Sequence, residues 1–430
     1  MMITFTLIGS LFALIALGMP IGFAMGVSGM LGLLLVGGVD TVLGIMSTTP
    51  ISTASTYELV SVPMFILMAE FVIVSRVADD LYDCMVIWIG RVRGGLAVAT
   101  AFAGAGFGAI CGSSTAGAAT LAATALPSML RHRYEPTLAN GVVAISGTLA
   151  ILIPPSMALI LYGLLTSLSI AKLLIAGIIP GLIVTLIIAG TVMFLVWRDP
   201  SRAPVGERYT WKEKFRSLQA TGPMILLIIL VTGVIYLGVA TPTEASSLGA
   251  LGAFVIAFAR RRLTWTLFCK AVASAARTSA MITMIILGAH VFGYALTLTQ
   301  TTQSFVAAVA ALGWNRYAIL GLILLLKLAL GCFLDQVAIL LLTVPIMVPL
   351  IVKLGFDPLW FGVILVLTAE VGMITPPVGM NAFVVARYTG RPVEEVFAGI
   401  WPHFVAHILA IIFFVIFPQL VTWLPLTMNK

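Results

Sequence analysis

Polar side chains are scarce in this chain, and those inside apolar stretches are the ones that could do chemistry. Two such stretches are interrupted by paired prolines, Pro154-Pro155 and Pro376-Pro377. Ser146, Thr148 and Ser156 surround the first pair; Thr368, Glu370, Thr375 and Asn381 surround the second. Two further places have the same character. Ser113, Ser114 and Thr115 follow Cys111-Gly112, and Asp335 and Gln336 follow Cys332. A proline has no N–H, so Pro154 and Pro155 deprive the carbonyls of Ala150 and Ile151 of their helical partners. Ile153, ahead of a proline, is pushed out of the α region. Freed carbonyls with hydroxyls and amides suit a hard cation such as Na⁺. A half-helix starting near Pro155 offers free N–H groups and a positive dipole end to an anion. At membrane depth such a break is tolerated only where protein or a watery cavity receives the polar groups.

Each feature also has a plainer reading. One Pro-Pro is as readily a kink. Thr120 and Thr124 read as helix packing. Asp335 fits a helix cap and an ion ligand equally well. Glu58, Glu70 and Glu244 stand near span ends, and Lys327 reads as a side chain that snorkels or pairs with a neighbour. The spacing favours a site. Cys111 and Cys332 are 221 residues apart, and Pro154 and Pro376 are 222 apart. Such a constant offset marks an internal repeat. Broken helices at matching positions of two halves point to a binding site of the transporter kind.

The elements that must hold these residues are membrane helices. Hydrophobic residues make up 61% of the 430, charged residues 9%, and mean hydropathy is +1.15. That composition predicts an all-α polytopic membrane protein. The net charge of +7 is loop charge that orients the chain, not a nucleic-acid signal. No Walker motif, HExxH or GxSxG occurs, so nothing suggests an enzyme. The four cysteines lack metal-ligand spacing. His403 and His407, four apart, read as an interfacial helix face.

In order, spans are expected at 3–18, 20–36 and 59–75, with a Ser/Thr/Gly-rich connection over 37–57. The start lacks a basic leader and a cleavage site, and reads as an uncleaved first span. Residues 76–94 read as an interfacial amphipathic helix. The segments 97–110 and 114–130 are too short to span comfortably and read as a re-entrant hairpin. A broken helix follows over 138–167 and a span over 171–197. The basic stretch 198–221 is expected as a cytoplasmic linker between a first inverted repeat, 1–197, and a second, 222–430. The second repeat carries spans at 222–238, 244–259 and 278–299, a hairpin over 316–350, a broken helix over 359–389 and a last span over 399–425. Arg260 to Arg262, Lys270 and Arg277 fall inside, and the tail, Asn429-Lys430, outside. With five full crossings in the first half, the two hairpins enter from opposite faces and their tips meet near the midplane.

These residues carry a resemblance. Gly18-Met19-Pro20-Ile21, the run from Val62 to Leu67 (VPMFIL), Arg93 to Ala97 (RGGLA), Cys111-Gly112-Ser113-Ser114 and Ile153-Pro154-Pro155-Ser156, with Tyr162-Gly163, mark the first half. Thr241 to Ala245 (TPTEA), Phe333-Leu334-Asp335 and Thr375 to Gly379 (TPPVG) mark the second. Together, nearly end to end, they resemble the large membrane subunit of the tripartite ATP-independent periplasmic (TRAP) transporters, the DctM-like family.

The resemblance implies a multi-pass protein of the bacterial inner membrane that takes up an organic anion, driven by Na⁺, with no other cofactor. It implies an elevator-type movement of a transport domain, holding both hairpins and both broken helices, past a scaffold. It implies two protein partners: a small four-helix membrane subunit, expected as a separate chain because no extra N-terminal helices are present, and a periplasmic substrate-binding protein. Membrane lipid completes the surroundings. Carried over, one Na⁺ position would involve Ser113, Ser114, Ser146, Thr148 and Pro154. The other would involve Asp335, Gln336, Thr368, Thr375 and Pro376. Thr115, Ser156, Gly379 and Asn381 would face the anion. Two rivals stand beside this reading. A stand-alone Na⁺/dicarboxylate symporter of related architecture usually shows Ser-Asn-Thr at its tips, where this chain has Gly-Ser-Ser and Leu-Asp-Gln. A non-transporting scaffold would gain nothing from repeated polar breaks.

Overall fold

A computed structural model describes residues 2–311 and 313–428, and among them every regular element is helical. The tail residues Asn429 and Lys430 lie outside the described residues. The chain begins with α1 (Met2–Ala16) and α2 (Ile21–Ala54), then a 3₁₀ turn (Tyr57–Val60) leading into α3 (Ser61–Ser75). A short helix, α4 (Val77–Ile89), precedes the hairpin of α5 (Gly95–Cys111) and α6 (Ser114–Arg131). The first broken helix is α7 (Pro136–Thr148) and α8 (Met157–Thr166); α9 (Ile170–Arg198) closes the half. The second half runs through α10 (Trp211–Tyr236), α11 (Pro242–Ala259), α12 (Trp265–Leu298) and α13 (Thr301–Ala311). Its hairpin is α14 (Arg316–Gly331) with α15 (Gln336–Lys353), and its broken helix is α16 (Pro358–Gly372) with α17 (Met380–Thr389). The chain ends with α18 (Val393–Ile416) and α19 (Gln419–Leu426). Among the described residues, eight helical segments are long and apolar enough to cross a membrane.

Burial sorts the helices. Every residue of α7 from Leu138 to Thr148 and of α16 from Trp360 to Gly372 is buried, as a helix apolar all round must be. The first halves of both broken helices therefore lie at the centre of the packing. Helices α2, α10 and α12 instead expose large apolar side chains, among them Leu35, Leu43, Leu226, Ile229 and Met281, which suit lipid. Helices α2 and α12 pack nearly backbone to backbone in parallel register. A Cβ on Gly22 would lie 2.8 Å from the Cα of Ile285, and one on Gly29 would lie 2.8 Å from the Phe292 nitrogen. Small residues at helix contacts are the membrane solution for close packing.

Several sequence expectations need correction. The stretch 37–57 is not irregular: a second helical stretch runs to Ala54, joined to the first across a kink at Gly38 (φ 71°). Its polar residues fold back onto the helix. Thr41 donates to the Gly37 carbonyl at 2.7 Å, Ser47 to Gly44 at 2.8 Å and Thr48 to Gly44 at 3.1 Å, so a Ser/Thr-rich run stays helical. The linker 198–221 is only partly irregular, because α10 starts at Trp211 through a capping box of Thr210 and Glu213. Lys270 and Arg277 are not loop residues but ride on α12, which starts at Trp265 behind a Thr264 cap. Helix α13 was not foreseen. The last span is two helices, since Phe417, ahead of Pro418, leaves the α region (φ −117°, ψ 67°).

The segment 76–94 does form the expected amphipathic helix, α4, burying Val77, Ala78, Leu81, Tyr82 and Cys84. Asp80 pairs with Arg260 beyond α11, and Arg260 also donates to the Ala220 carbonyl at 2.6 Å on α10. Glu244 caps its own helix with Thr241, and Glu70 accepts from Ser274 on α12.

Candidate functional site

The first hairpin tip is two residues long. Helix α5 ends at Cys111, Gly112 turns the chain at φ 61°, and Ser113 is extended before α6 starts at Ser114. Such a left-handed turn favours glycine. Ser113 occupies the capping position of α6 but makes no cap bond; its hydroxyl lies 3.4 Å from that of Thr115. Ser114 is buried.

The first break lies directly under this tip. A Cβ on Gly108 would meet the Cα of Ala150 at 2.7 Å, and one on Gly112 would meet the Pro155 carbonyl at 3.2 Å. After α7 a 3₁₀ turn (Leu149–Ile151) leads to the cis Pro154-Pro155 bond and then to α8. The Ile151 carbonyl, expected to be free, accepts from the Ser156 hydroxyl, which in turn accepts from the Leu159 N–H at 3.3 Å. Ser156 is thus a buried cap. Thr148 donates to the Ile145 carbonyl at 2.8 Å. The Ser146 hydroxyl, fully buried, has no partner among the described residues.

The second half repeats the plan with differences. Asp335 is the cap of α15, its Oδ1 accepting from the Ala338 N–H at 2.7 Å, and the residue is exposed. Gln336 is buried and its Nε2 is unpartnered. Gly331 packs on Gly372, four residues before Pro376, as Gly108 packs on Ala150, four residues before Pro154. Thr368 donates to Ile364 at 2.8 Å and Thr375 to Val371 at 2.6 Å. The Pro376-Pro377 bond is also cis. Pro154, Pro155 and Ser156 are buried, whereas Pro376, Pro377 and Val378 are exposed, so one break is sealed and the other open. Gly379, at φ 55°, starts α17.

Asn381 links the second break to the first half. Asn381, fully buried in the first turn of α17, donates through Nδ2 to the Ser114 hydroxyl at 2.6 Å and to the Ala144 carbonyl at 3.3 Å. Its Oδ1 is unpartnered. The structure therefore brings Asn381, Ser114 and α7 into one junction. It gives Asp335, Thr375 and Pro376 no bond to that junction.

Sequence reasoning missed or misplaced four side chains. Asn140 and Glu370 are fully buried with both polar side-chain atoms unpartnered. Only Glu370 carried a signal, as an acid within an apolar run. His403 and His407 are not on an interfacial face: both are fully buried, and they share the buried stripe of α18 with Gly399 and Phe414. Lys327 takes the second of its two expected roles: fully buried, it pairs with a neighbour, donating to Thr343 at 3.2 Å across the second hairpin. Among the described residues no group of three or more His, Cys, Asp or Glu could hold a metal by such ligands. A cleft of about 380 Å³ opens between Tyr57, Ser167, Ser169 and Thr243, away from both tips.

Comparison with known proteins fits this arrangement. The family described as "Tripartite ATP-independent periplasmic transporter, DctM component" matches residues 8–420. A C4-dicarboxylate TRAP transporter large permease protein of Pseudomonas aeruginosa is 36% identical over 341 residues, covering 79% of each chain. A sialic acid TRAP transporter large permease protein of Vibrio cholerae is 29% identical, covering 97% of this chain and 98% of that one. The crystal structure of the YdaH transporter of Alcanivorax borkumensis superposes with a TM-score of 0.65 at 14% identity, covering 89% of this chain and 90% of that one, which shows a shared fold. This multi-pass membrane chain, with its paired hairpins and proline breaks, belongs to the DctM family, the large permeases of TRAP transporters.

Proposed function

We propose that the chain is the Na⁺-driven element of organic-anion uptake. The observation that carries this reading is the junction of Ser114, Ala144 and Asn381, where a hairpin tip and both broken helices meet in a buried, oxygen-rich place. The unpartnered Ser146 hydroxyl supplies a further oxygen with spare lone pairs. Oxygen donors of this kind suit Na⁺. One Na⁺ position is assigned to Ser113, Ser114, Ser146, Thr148 and Pro154. The other is assigned to Asp335, Gln336, Thr368, Thr375 and Pro376, at the open break. The anion lies beside Thr115 and the α17 start at Gly379, whose N–H groups favour negative charge. Ser156 and Asn381 stand behind it and fix the backbone.

The substrate is a carboxylate such as a C4-dicarboxylate, a 2-oxo acid or a sugar acid. The named relatives handle a C4-dicarboxylate and sialic acid, so they agree on an acid rather than on one molecule. A periplasmic binding protein delivers it, and a separate small membrane subunit flanks the scaffold helices α2, α10 and α12. Both hairpins and both broken helices move together past that scaffold. One entering Na⁺ supplies about 2.3 kcal/mol at 100 mV and about 1.4 kcal/mol for a tenfold gradient.

The test is uptake into liposomes holding this chain with its small subunit and supplied with a binding protein. A panel of labelled acids is offered with an inward Na⁺ gradient and then with K⁺ in its place. Accumulation with Na⁺ alone of the two supports the reading, and equal accumulation with K⁺ refutes Na⁺ drive.

A further inference from the structure

Asn381 does two things at once. Its backbone N–H donates to the Met373 carbonyl at 3.3 Å, bridging the second break from one side to the other. Its side chain donates to Ser114 at the first hairpin tip, 267 residues away in sequence, and to Ala144 on α7. The residue is fully buried, and its Oδ1 has no partner. An amide so placed cannot let go of one contact freely, because a buried donor left without an acceptor is costly. Movement of the second break therefore reaches the Ser114 hydroxyl directly through this side chain, within the packing of α17 on α6 and α7. A shift at the first tip reaches Met373 by the same route.

We infer that Asn381 is a positioning residue that couples the two ion positions, so that Na⁺ arriving at one hairpin tip orders the break that serves the other. This rests on the Na⁺ assignment above. Neither Na⁺ position contains the Asn381 amide nitrogen; the residue acts through Ser114 on one side and Met373 on the other. A coupling of this kind is reciprocal, and couplings of binding sites typically run from about 5-fold to 150-fold in affinity.

The test uses the complete transporter in liposomes, with uptake measured against Na⁺ concentration for the unmodified chain and Asn381→Ala. The expected result is a Hill coefficient that falls toward 1, with half-saturating Na⁺ raised about 5-fold or more. A merely structural role would leave the Hill coefficient where it was. Amide hydrogen exchange, followed without any ion, gives an independent readout. In Asn381→Ala the segments 373–382 and 113–117 should both exchange faster. Should the alanine variant fail to assemble, Asn381→Asp keeps the shape and lets Ser114 donate to it, so loss of the Ala144 bond alone is read. A Hill coefficient unchanged in the assembled variant overturns the coupling, as does faster exchange confined to 373–382. Uptake by the unmodified chain that ignores Na⁺ would remove the ion assignment, and the exchange result would then decide the structural link by itself.

Discussion

Gly331 and Gly372 touch backbone to backbone: a Cβ on Gly331 would lie 2.8 Å from the Cα of Gly372, and one on Gly372 would lie 2.6 Å from that of Gly331. The last turn of α14 is thereby seated on the last turn of α16, one turn ahead of the exposed prolines. Gly372→Val should force these helices apart and cost about 1–3 kcal/mol. Gly321→Val, also in the hairpin, faces open space and should be nearly neutral. Thermal unfolding of the purified complex compares them. Equal melting temperatures would show that the hairpin and the broken helix are not held by this contact.

Ser146 separates an ion ligand from a packing residue. Its buried hydroxyl lacks a partner, so removing it from an inert core should be neutral or stabilising. As a Na⁺ ligand its loss should raise half-saturating Na⁺ by roughly tenfold, equivalent to about 1.4 kcal/mol. Uptake against Na⁺ concentration for Ser146→Ala decides between them, and an unchanged curve returns Ser146 to packing.

Asp335 caps α15, and the cap and the charge can be tested apart. Asparagine is as good a cap as aspartate, whereas alanine loses about 0.5–2 kcal/mol. Asp335→Asn should therefore keep the melting temperature yet weaken the Na⁺ response, and Asp335→Ala should lower both. A normal Na⁺ response in Asp335→Asn would leave the cap as its whole role.

Lys327 and Thr343 should respond asymmetrically. Thr343→Val leaves the buried Lys327 amine without its acceptor and should cost about 1–3 kcal/mol. Lys327→Met replaces the amine at similar volume and should be neutral or stabilising. Denaturation of the two variants checks the order, and a more harmful Lys327→Met would show that the amine has a further task.

The sequence carried the breaks and the tips because their causes are local. Pro154-Pro155, Pro376-Pro377 and Gly112 dictate backbone within a few residues, and each break and turn lies where those residues stand. The start of α10 was equally legible through Thr210 and Glu213 but was hidden by the charge around it. Residues 37–54 misled because hydroxyls bonding to carbonyls three or four residues back let a polar run stay helical. The burial of His403 and His407 followed from which helices surround α18, which spacing along the chain does not state. Nor does anything in the sequence announce that Asn381 meets Ser114, since a contact between residues 267 apart is set by packing alone.

The most direct test of the account is a two-by-two uptake experiment in liposomes holding this chain and its small subunit: Na⁺ present or absent, binding protein present or absent, with a labelled acid from the panel. The account predicts accumulation only when both are present. Accumulation with Na⁺ and no binding protein would contradict delivery by a soluble partner, and accumulation with the binding protein and no Na⁺ would contradict Na⁺ drive.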